Sequence, residues 1–333
     1  MPPKNAVMAG EWNHKIFTVT EADFDALALE IFRFQYAHND IYRSFTDAVG
    51  CRPDTVDCIE KIPFLPVRFF KSHRVVTTQF EPQAVFESSG TTGMINSRHY
   101  VKELALYEES FLKGFELFYG PVSDWCILGL LPSYLERKGS SLVYMVERLI
   151  AGSQHPDSGF YLHNDDQLIA LLSELERRKQ KTLLIGVTFA LLDLAEKMNM
   201  PLANTVIMET GGMKGRRREM IREEVHEQLM KAFSSAAIHS EYGMTELLSQ
   251  AYSQGDGVFS CPPWMKILLR DDEDPFLLTR HGSGTINVID LANIWSCSFI
   301  ATDDAGRIKS NDGFEVLGRV DGSDLRGCSL LTV

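Results

Sequence analysis

The chain has 333 residues, which at roughly 150 residues per domain suggests two domains, or one domain with substructure. Hydrophobic residues make up 44% and charged residues 23%, the composition of a folded soluble protein rather than a disordered one. With 33 Lys+Arg against 45 Asp+Glu the formal net charge is −12, and no long basic run is present, which excludes nucleic acid bound through clustered phosphate contacts.

The N-terminal segment 1–15 has no apolar stretch of the kind that marks a secretory signal. The longest uncharged apolar run, 182–192, falls well short of the roughly 20 residues a membrane-spanning helix needs. A cytoplasmic enzyme or binding protein is expected. Residues 20–47 read as a helix, with Thr20 and Asp23 resembling a capping box and Phe24, Leu27, Ile31 and Phe32 at helical spacing. Pro63 and Pro66 break up 50–82 into short turns and helices. From 83 onward, short apolar runs at 84–87, 126–131, 182–187, 205–208 and 236–239 alternate with amphipathic stretches at 102–118, 166–178 and 216–233. That alternation predicts a mostly parallel α/β sheet covered on both faces. After about residue 256 the helices stop, and strand-like runs at 267–269, 285–290 and 315–317 predict a smaller β-rich region. The expected organisation is a helical N-terminal region (1–82), an α/β core (83–255), and a β-rich region with a C-terminal tail (256–333).

Six cysteines (Cys51, Cys58, Cys126, Cys261, Cys297 and Cys328) include no CxxC pair and no zinc-spaced cluster. All but Cys328 are expected to be reduced and buried.

Four motifs carry chemistry. Ser88-Ser89-Gly90-Thr91-Thr92-Gly93 follows an expected strand, and its hydroxyls, N–H groups and glycines suit phosphate oxygens. No GK[ST] follows, so it is not a Walker A loop, and an inconsequential Ser/Thr/Gly turn explains the same letters. Glu241-Tyr242-Gly243-Met244-Thr245-Glu246 follows another expected strand, where an aromatic ring can stack on a base, a hydroxyl can meet a phosphate and a carboxylate can hold Mg²⁺. By itself Tyr242 reads equally as a core aromatic. Glu209-Thr210-Gly211-Gly212-Met213-Lys214-Gly215 would let backbone pass close to a planar ligand, or is simply a turn with a solvated Lys214. Thr302-Asp303-Asp304-Ala305-Gly306 offers carboxylates to ribose hydroxyls, or forms a hairpin turn.

In this order, and followed by Gly318-Arg319-Val320-Asp321, these motifs resemble the signature of the adenylate-forming (ANL) superfamily of acyl and aryl ligases. Leu131-Pro132-Ser133-Tyr134-Leu135-Glu136-Arg137, the Glu209 to Gly215 segment and Leu325-Arg326-Gly327-Cys328-Ser329-Leu330 look like the LuxE-type acyl-protein synthetases, which are related to phenylacetate–CoA ligases. The resemblance implies an ANL-type adenylation domain of layered α/β subdomains plus a small β-rich region. It implies that Ser88 to Gly93 hold the ATP β- and γ-phosphates, that Gly211 and Gly212 flank the adenine, and that Tyr242 stacks on it. It places Thr245 at the α-phosphate, Glu246 on Mg²⁺, and Asp304 on the ribose hydroxyls with Arg319 nearby. Two departures stand out. The superfamily's phosphate loop usually continues to Pro-Lys, where this chain reads Met94-Ile95-Asn96-Ser97-Arg98. The mobile C-terminal domain and its catalytic lysine are expected to be lacking, because the sequence stops shortly after Asp321; Lys214 and Arg319 are the candidate substitutes.

LuxE-type proteins transfer the acyl group to a cysteine near the C-terminus, which the resemblance maps onto Cys328. A thiolate there would capture an acyl adenylate as a thioester, and Arg319 and Arg326 would favour its ionised form. The expected activity is ATP-dependent activation of a carboxylic acid, fatty in the LuxE case, followed by transfer to Cys328 for delivery to an acyl reductase partner. The alternatives are an acid–CoA ligase and a non-catalytic nucleotide-binding scaffold. His99 and His239 flank two motifs and are minor candidates. The apolar segments 128–131 and 186–192 would wall an acyl pocket or are ordinary core. Oligomeric state stays open.

Overall fold

The computed structural model describes residues 4–88, 95–131, 139–162, 165–198, 200–211, 220–271, 273–310 and 312–320. Within it, the apolar runs of the middle of the chain form a six-stranded sheet. Its order is Gly159–Phe160, Cys126–Leu130, Thr182–Val187, Thr205–Thr210, His239–Tyr242 and Ala251–Ser253. All pairings are parallel except the last. Cys126–Leu130 and Thr182–Val187 are buried at every position, as strands covered on both faces must be. The expected amphipathic helices appear as Leu104–Tyr119, Asp165–Arg177 and Arg222–Phe233. Two more, Ser141–Ser153 and Thr188–Lys197, go beyond the sequence reading. Thr188–Lys197 is apolar over most of its surface, so no 3.6-residue stripe separates it from the strand before it.

Several expectations are corrected. The helix over 20–47 is two helices, Glu21–His38 and Asp40–Ala48. Asn39 takes extended backbone between them, and its side chain caps the second by accepting from the Tyr42 N–H. Thr20 makes no side-chain cap; its hydroxyl donates to Asp23 at 2.6 Å. Ala84–Glu87 stands outside the parallel sheet, in an antiparallel hairpin with Arg98–Val101. A connection this short cannot make the crossover that parallel strands require. The strand expected at 236–239 is His239–Tyr242, so Glu241 and Tyr242 lie on the strand itself.

The C-terminal strands form a second sheet, largely antiparallel, in the order Val258–Phe259, Phe314–Arg319, Phe299–Ile308, Gly282–Asp290, Met265–Arg270, Leu278–Thr279. Leu65–Pro66 adds to it, parallel to Phe299–Ile308. The N-terminal helices pack on this sheet. Phe32 and Tyr42 lie 6.3 and 6.0 Å from the Phe299 ring. The fully buried Gln35 donates to the carbonyls of Asn293 and Ile294 and accepts from the Ser298 N–H. Of the five cysteines expected to be buried, only Cys126 and Cys297 are; Cys51, Cys58 and Cys261 are half-buried, and all five are free thiols. Their segments meet the surface at turns and sheet edges, where a small apolar side chain is only partly covered. Among the described residues no helix is long and apolar enough to cross a membrane.

Candidate functional site

Loops that follow the carboxyl ends of parallel strands form the ligand crevice of an open α/β sheet. Thr205–Thr210 and His239–Tyr242 run parallel with Thr210 opposite Glu241, so Gly211 and Gly243 leave the sheet at the same edge. A cleft opens there. Ser88 lines it from the hairpin, Gly211, Tyr242, Thr245 and Glu246 from the strand ends, and Asp304 and Arg319 from the antiparallel sheet. Segments far apart in sequence thus converge on one space.

The supporting contacts are specific. Ser88 closes the base of its hairpin: its N–H donates to the Ser97 carbonyl at 3.1 Å, and its hydroxyl accepts from the Ser97 N–H at 2.9 Å. Gly211 has a positive φ of 71°, and its carbonyl accepts from the Thr188 hydroxyl at 2.7 Å. Tyr242 packs edge-on against Phe314 at 5.6 Å, and its hydroxyl donates to Asp304 Oδ2 at 3.0 Å. Asp304 Oδ1 pairs with Arg319 Nε at 3.6 Å, both groups nearly buried. Asp304 sits inside the strand Phe299–Ile308, which rules out the hairpin-turn reading of its motif.

Thr245 and Glu246 are held through their backbone. His99, fully buried, places Nδ1 2.9 Å from the Thr245 carbonyl and Nε2 3.0 Å from Asn293 Oδ1, while Asn293 Nδ2 donates to the Glu246 carbonyl at 2.7 Å. Burial pushes the His99 pKa down. Asp290 accepts from the N–H groups of Leu248 and Ser249 at 2.8 and 3.0 Å; burial pushes its carboxyl up to about 6 despite these donors. His99 is therefore a clamp behind the site rather than a cleft-lining group. His239 contacts the Tyr119 hydroxyl at 3.2 Å and does not line the cleft. Nor do the apolar segments 128–131 and 186–192, which are buried core.

Among the cleft-lining groups to which the sequence reading gave no role are Arg222, Gln250 and Glu241, the last lying within a quoted motif. Arg222 reaches Glu209 Oε1 at 3.3 Å and crosses Phe259 at 5.1 Å. Glu209 also accepts from Ser240 Oγ and Thr188 Oγ1. Burial would raise its pKa, but the bond to His226 and the charge of Arg222 overcome that and bring it to about 2. Glu241 and Gln250 line the cleft as well. Strand alternation around Tyr242 was the signal available for Glu241; nothing local marked Arg222 or Gln250. Arg98, on the hairpin, is more than half exposed and pairs with Glu87 at 3.4 Å. Ser89, Gly90, Thr91, Thr92, Gly93, Gly212, Lys214 and Cys328 lie outside the described residues.

A carboxylate beside hydroxyls at such an edge suits a metal that takes its other ligands from phosphate and water. Glu246 fits that pattern for Mg²⁺, and among the described residues no cluster of three or more His, Cys, Asp or Glu forms a self-contained metal cage.

The family model "Acyl-protein synthetase, LuxE" matches residues 17–106, the N-terminal helices and the hairpin. The long-chain-fatty-acid–luciferin-component ligase of Vibrio harveyi is 23% identical over 324 residues, covering 90% of this chain and 84% of that protein. Among solved structures, 2-hydroxyisobutyryl-CoA ligase in complex with 2-HIB-AMP and CoA superposes with a TM-score of 0.65 at 14% identity, over 97% of this chain and 73% of that one. ATP-bound MatB from Rhodopseudomonas palustris gives 0.53 at 17% identity, over 72% of this chain and 49% of that one. The chain thus spans about half the length of MatB. The LuxE-type resemblance and the adenylation fold read from the motifs are both borne out.

Proposed function

We propose that this chain joins a carboxylic acid to ATP as an acyl adenylate, releasing pyrophosphate, and that Cys328 then takes the acyl group for delivery to an acyl reductase. The observation that carries the reading is the convergence of Ser88, Gly211, Tyr242, Thr245, Glu246, Asp304 and Arg319 on one cleft. The V. harveyi ligase and the acyl-adenylate-bound and ATP-bound ligases of the same fold support it.

In the first step a carboxylate oxygen attacks the α-phosphorus, and the bond to pyrophosphate breaks. Tyr242 stacks on the adenine, Gly211 lets the backbone approach it, and Asp304, steadied by the Tyr242 hydroxyl and Arg319, takes the ribose hydroxyls. Thr245 meets the α-phosphate, and Ser88 anchors the base of the loop that holds the outer phosphates. Glu246 would hold Mg²⁺ together with the nucleotide, and the ion would supply neutralisation of phosphate charge. Arg319 and Lys214 are the cations available as negative charge builds in the transition state. In the second step the Cys328 thiolate attacks the acyl carbonyl and AMP leaves, giving a thioester.

The test is intact mass after incubation with Mg-ATP and mixed carboxylic acids, run beside Cys328→Ala. A hydroxylamine-labile acyl adduct on the wild type, absent from the variant, is expected. Pyrophosphate release without an adduct would replace the protein thiol by a soluble acceptor such as coenzyme A. Neither signal would leave the chain a nucleotide-binding scaffold.

A further inference from the structure

The alternation that turns Tyr242 toward Asp304 turns Glu241 to the other face of the strand, together with Tyr252, its antiparallel partner. On that side the cleft is walled by Tyr107, Leu142 and Met145 from two helices. Glu241 is half-buried, and its Oε2 accepts from the Thr210 hydroxyl at 2.5 Å. Its Oε1 lies against Gly243, where any Cβ would overlap it, and the same Cβ would come within 3.3 Å of Gln250 Cγ. Among the described residues, Gln250, 5% exposed, has no hydrogen-bond partner for Oε1, and Tyr252, 2% exposed, has none for its hydroxyl. Buried polar atoms are normally paired, so the unpaired Gln250 Oε1 on the cleft wall points to a ligand that supplies the partner.

Resting on the adenylation reading, we propose that this wall holds the acid, and that the acid carries a hydrogen-bond donor, a hydroxyl or an ammonium group, which meets Glu241 Oε1 and Gln250 Oε1. A plain alkyl chain would strip water from these atoms and return no hydrogen bond, whereas a donor-bearing chain satisfies them. Burial and the nearby Glu209 charge raise the Glu241 carboxyl to about 7, so near neutrality it meets a hydroxyl as donor or acceptor and an ammonium as carboxylate.

ATP–pyrophosphate exchange by the full chain tests this, using alkanoates from butyrate to decanoate beside their hydroxy and ω-amino counterparts. A donor-bearing acid is expected to exceed its plain counterpart by about a hundredfold or more in kcat/KM, since a site built for a hydrogen bond rejects the analogue lacking it. The hydroxy and amino arms identify the donor. Glu241→Leu and Gln250→Leu should each cut that ratio by about tenfold or more. Exchange fastest with plain alkanoates in the wild type overturns the inference and leaves adenylation standing, whether or not the variants fold. No exchange with any acid, while calorimetry shows ATP bound, overturns both.

Discussion

Glu209 and Glu241 sit near the ends of neighbouring strands, the first buried and the second half-buried, and their surroundings treat them oppositely. Glu209, bonded by His226 and charged against by Arg222, is held down to about 2 in spite of its desolvation; Glu241 is raised to about 7 by desolvation of its carboxyl and by the like charge of Glu209, against a single hydroxyl donor. The two act on stability in opposite senses. Glu209 contributes stability that is present above the ordinary carboxyl value of about 4.5 and is lost as pH falls from there toward about 2. Glu241 keeps its proton in the folded state up to about 7 but loses it near 4.5 when unfolded, so stability falls as pH rises across that window. Glu241→Gln is therefore expected to melt above wild type near pH 8, the gap closing near pH 4; thermal melts across this range check it. A gap independent of pH would contradict the raised carboxyl. Both carboxylates are plain in the motifs, but their opposite protonation depends on His226, Arg222 and Thr210, which no spacing joins to them.

At the scale of elements, single residues decide where strands and helices turn. Asn39 divides what periodicity reads as one helix, because its side chain takes the Tyr42 N–H as a cap and donates to the Ser296 carbonyl at 2.9 Å. The 3.6-residue apolar pattern continues across the break and so conceals it. Gly243 lets the strand His239–Tyr242 turn into the Thr245 and Glu246 segment while Glu241 curls beneath it. Gly243→Ala would put a methyl where Glu241 Oε1 lies and force that carboxyl off Thr210. The expected cost is about 1–3 kcal/mol of stability by denaturant melts, with pyrophosphate exchange falling further than stability does. An alanine variant with wild-type exchange would show that the Glu241 placement is dispensable to the site.

Across the whole molecule, the cleft exists because two sheets meet: the parallel one brings Gly211, Tyr242 and Glu246, the antiparallel one Asp304 and Arg319. The N-terminal helices brace that second sheet through Gln35, which satisfies Asn293, Ile294 and Ser298, and Asn293 passes the restraint on to Glu246 and His99. Gln35→Ala leaves buried backbone groups unpaired, so a loss on the order of 3 kcal/mol is expected by chemical denaturation, with nucleotide affinity weakened though no cleft residue is changed. A melt unchanged from wild type would contradict this bracing. The order of the motifs and the alternation of apolar runs with amphipathic stretches were enough to determine the α/β class and the fold, and to point to Ser88, Gly211, Tyr242, Thr245, Glu246, Asp304 and Arg319, which meet at one cleft, because periodicity and loop chemistry are local properties of the chain. The antiparallel course of Ala84–Glu87, the clamp formed by His99 and Asn293, and the polar wall of Glu241 and Gln250 were decided only by tertiary structure. Each depends on which distant groups meet once the chain is buried, and burial sets the hydrogen bonds and charge states of those groups.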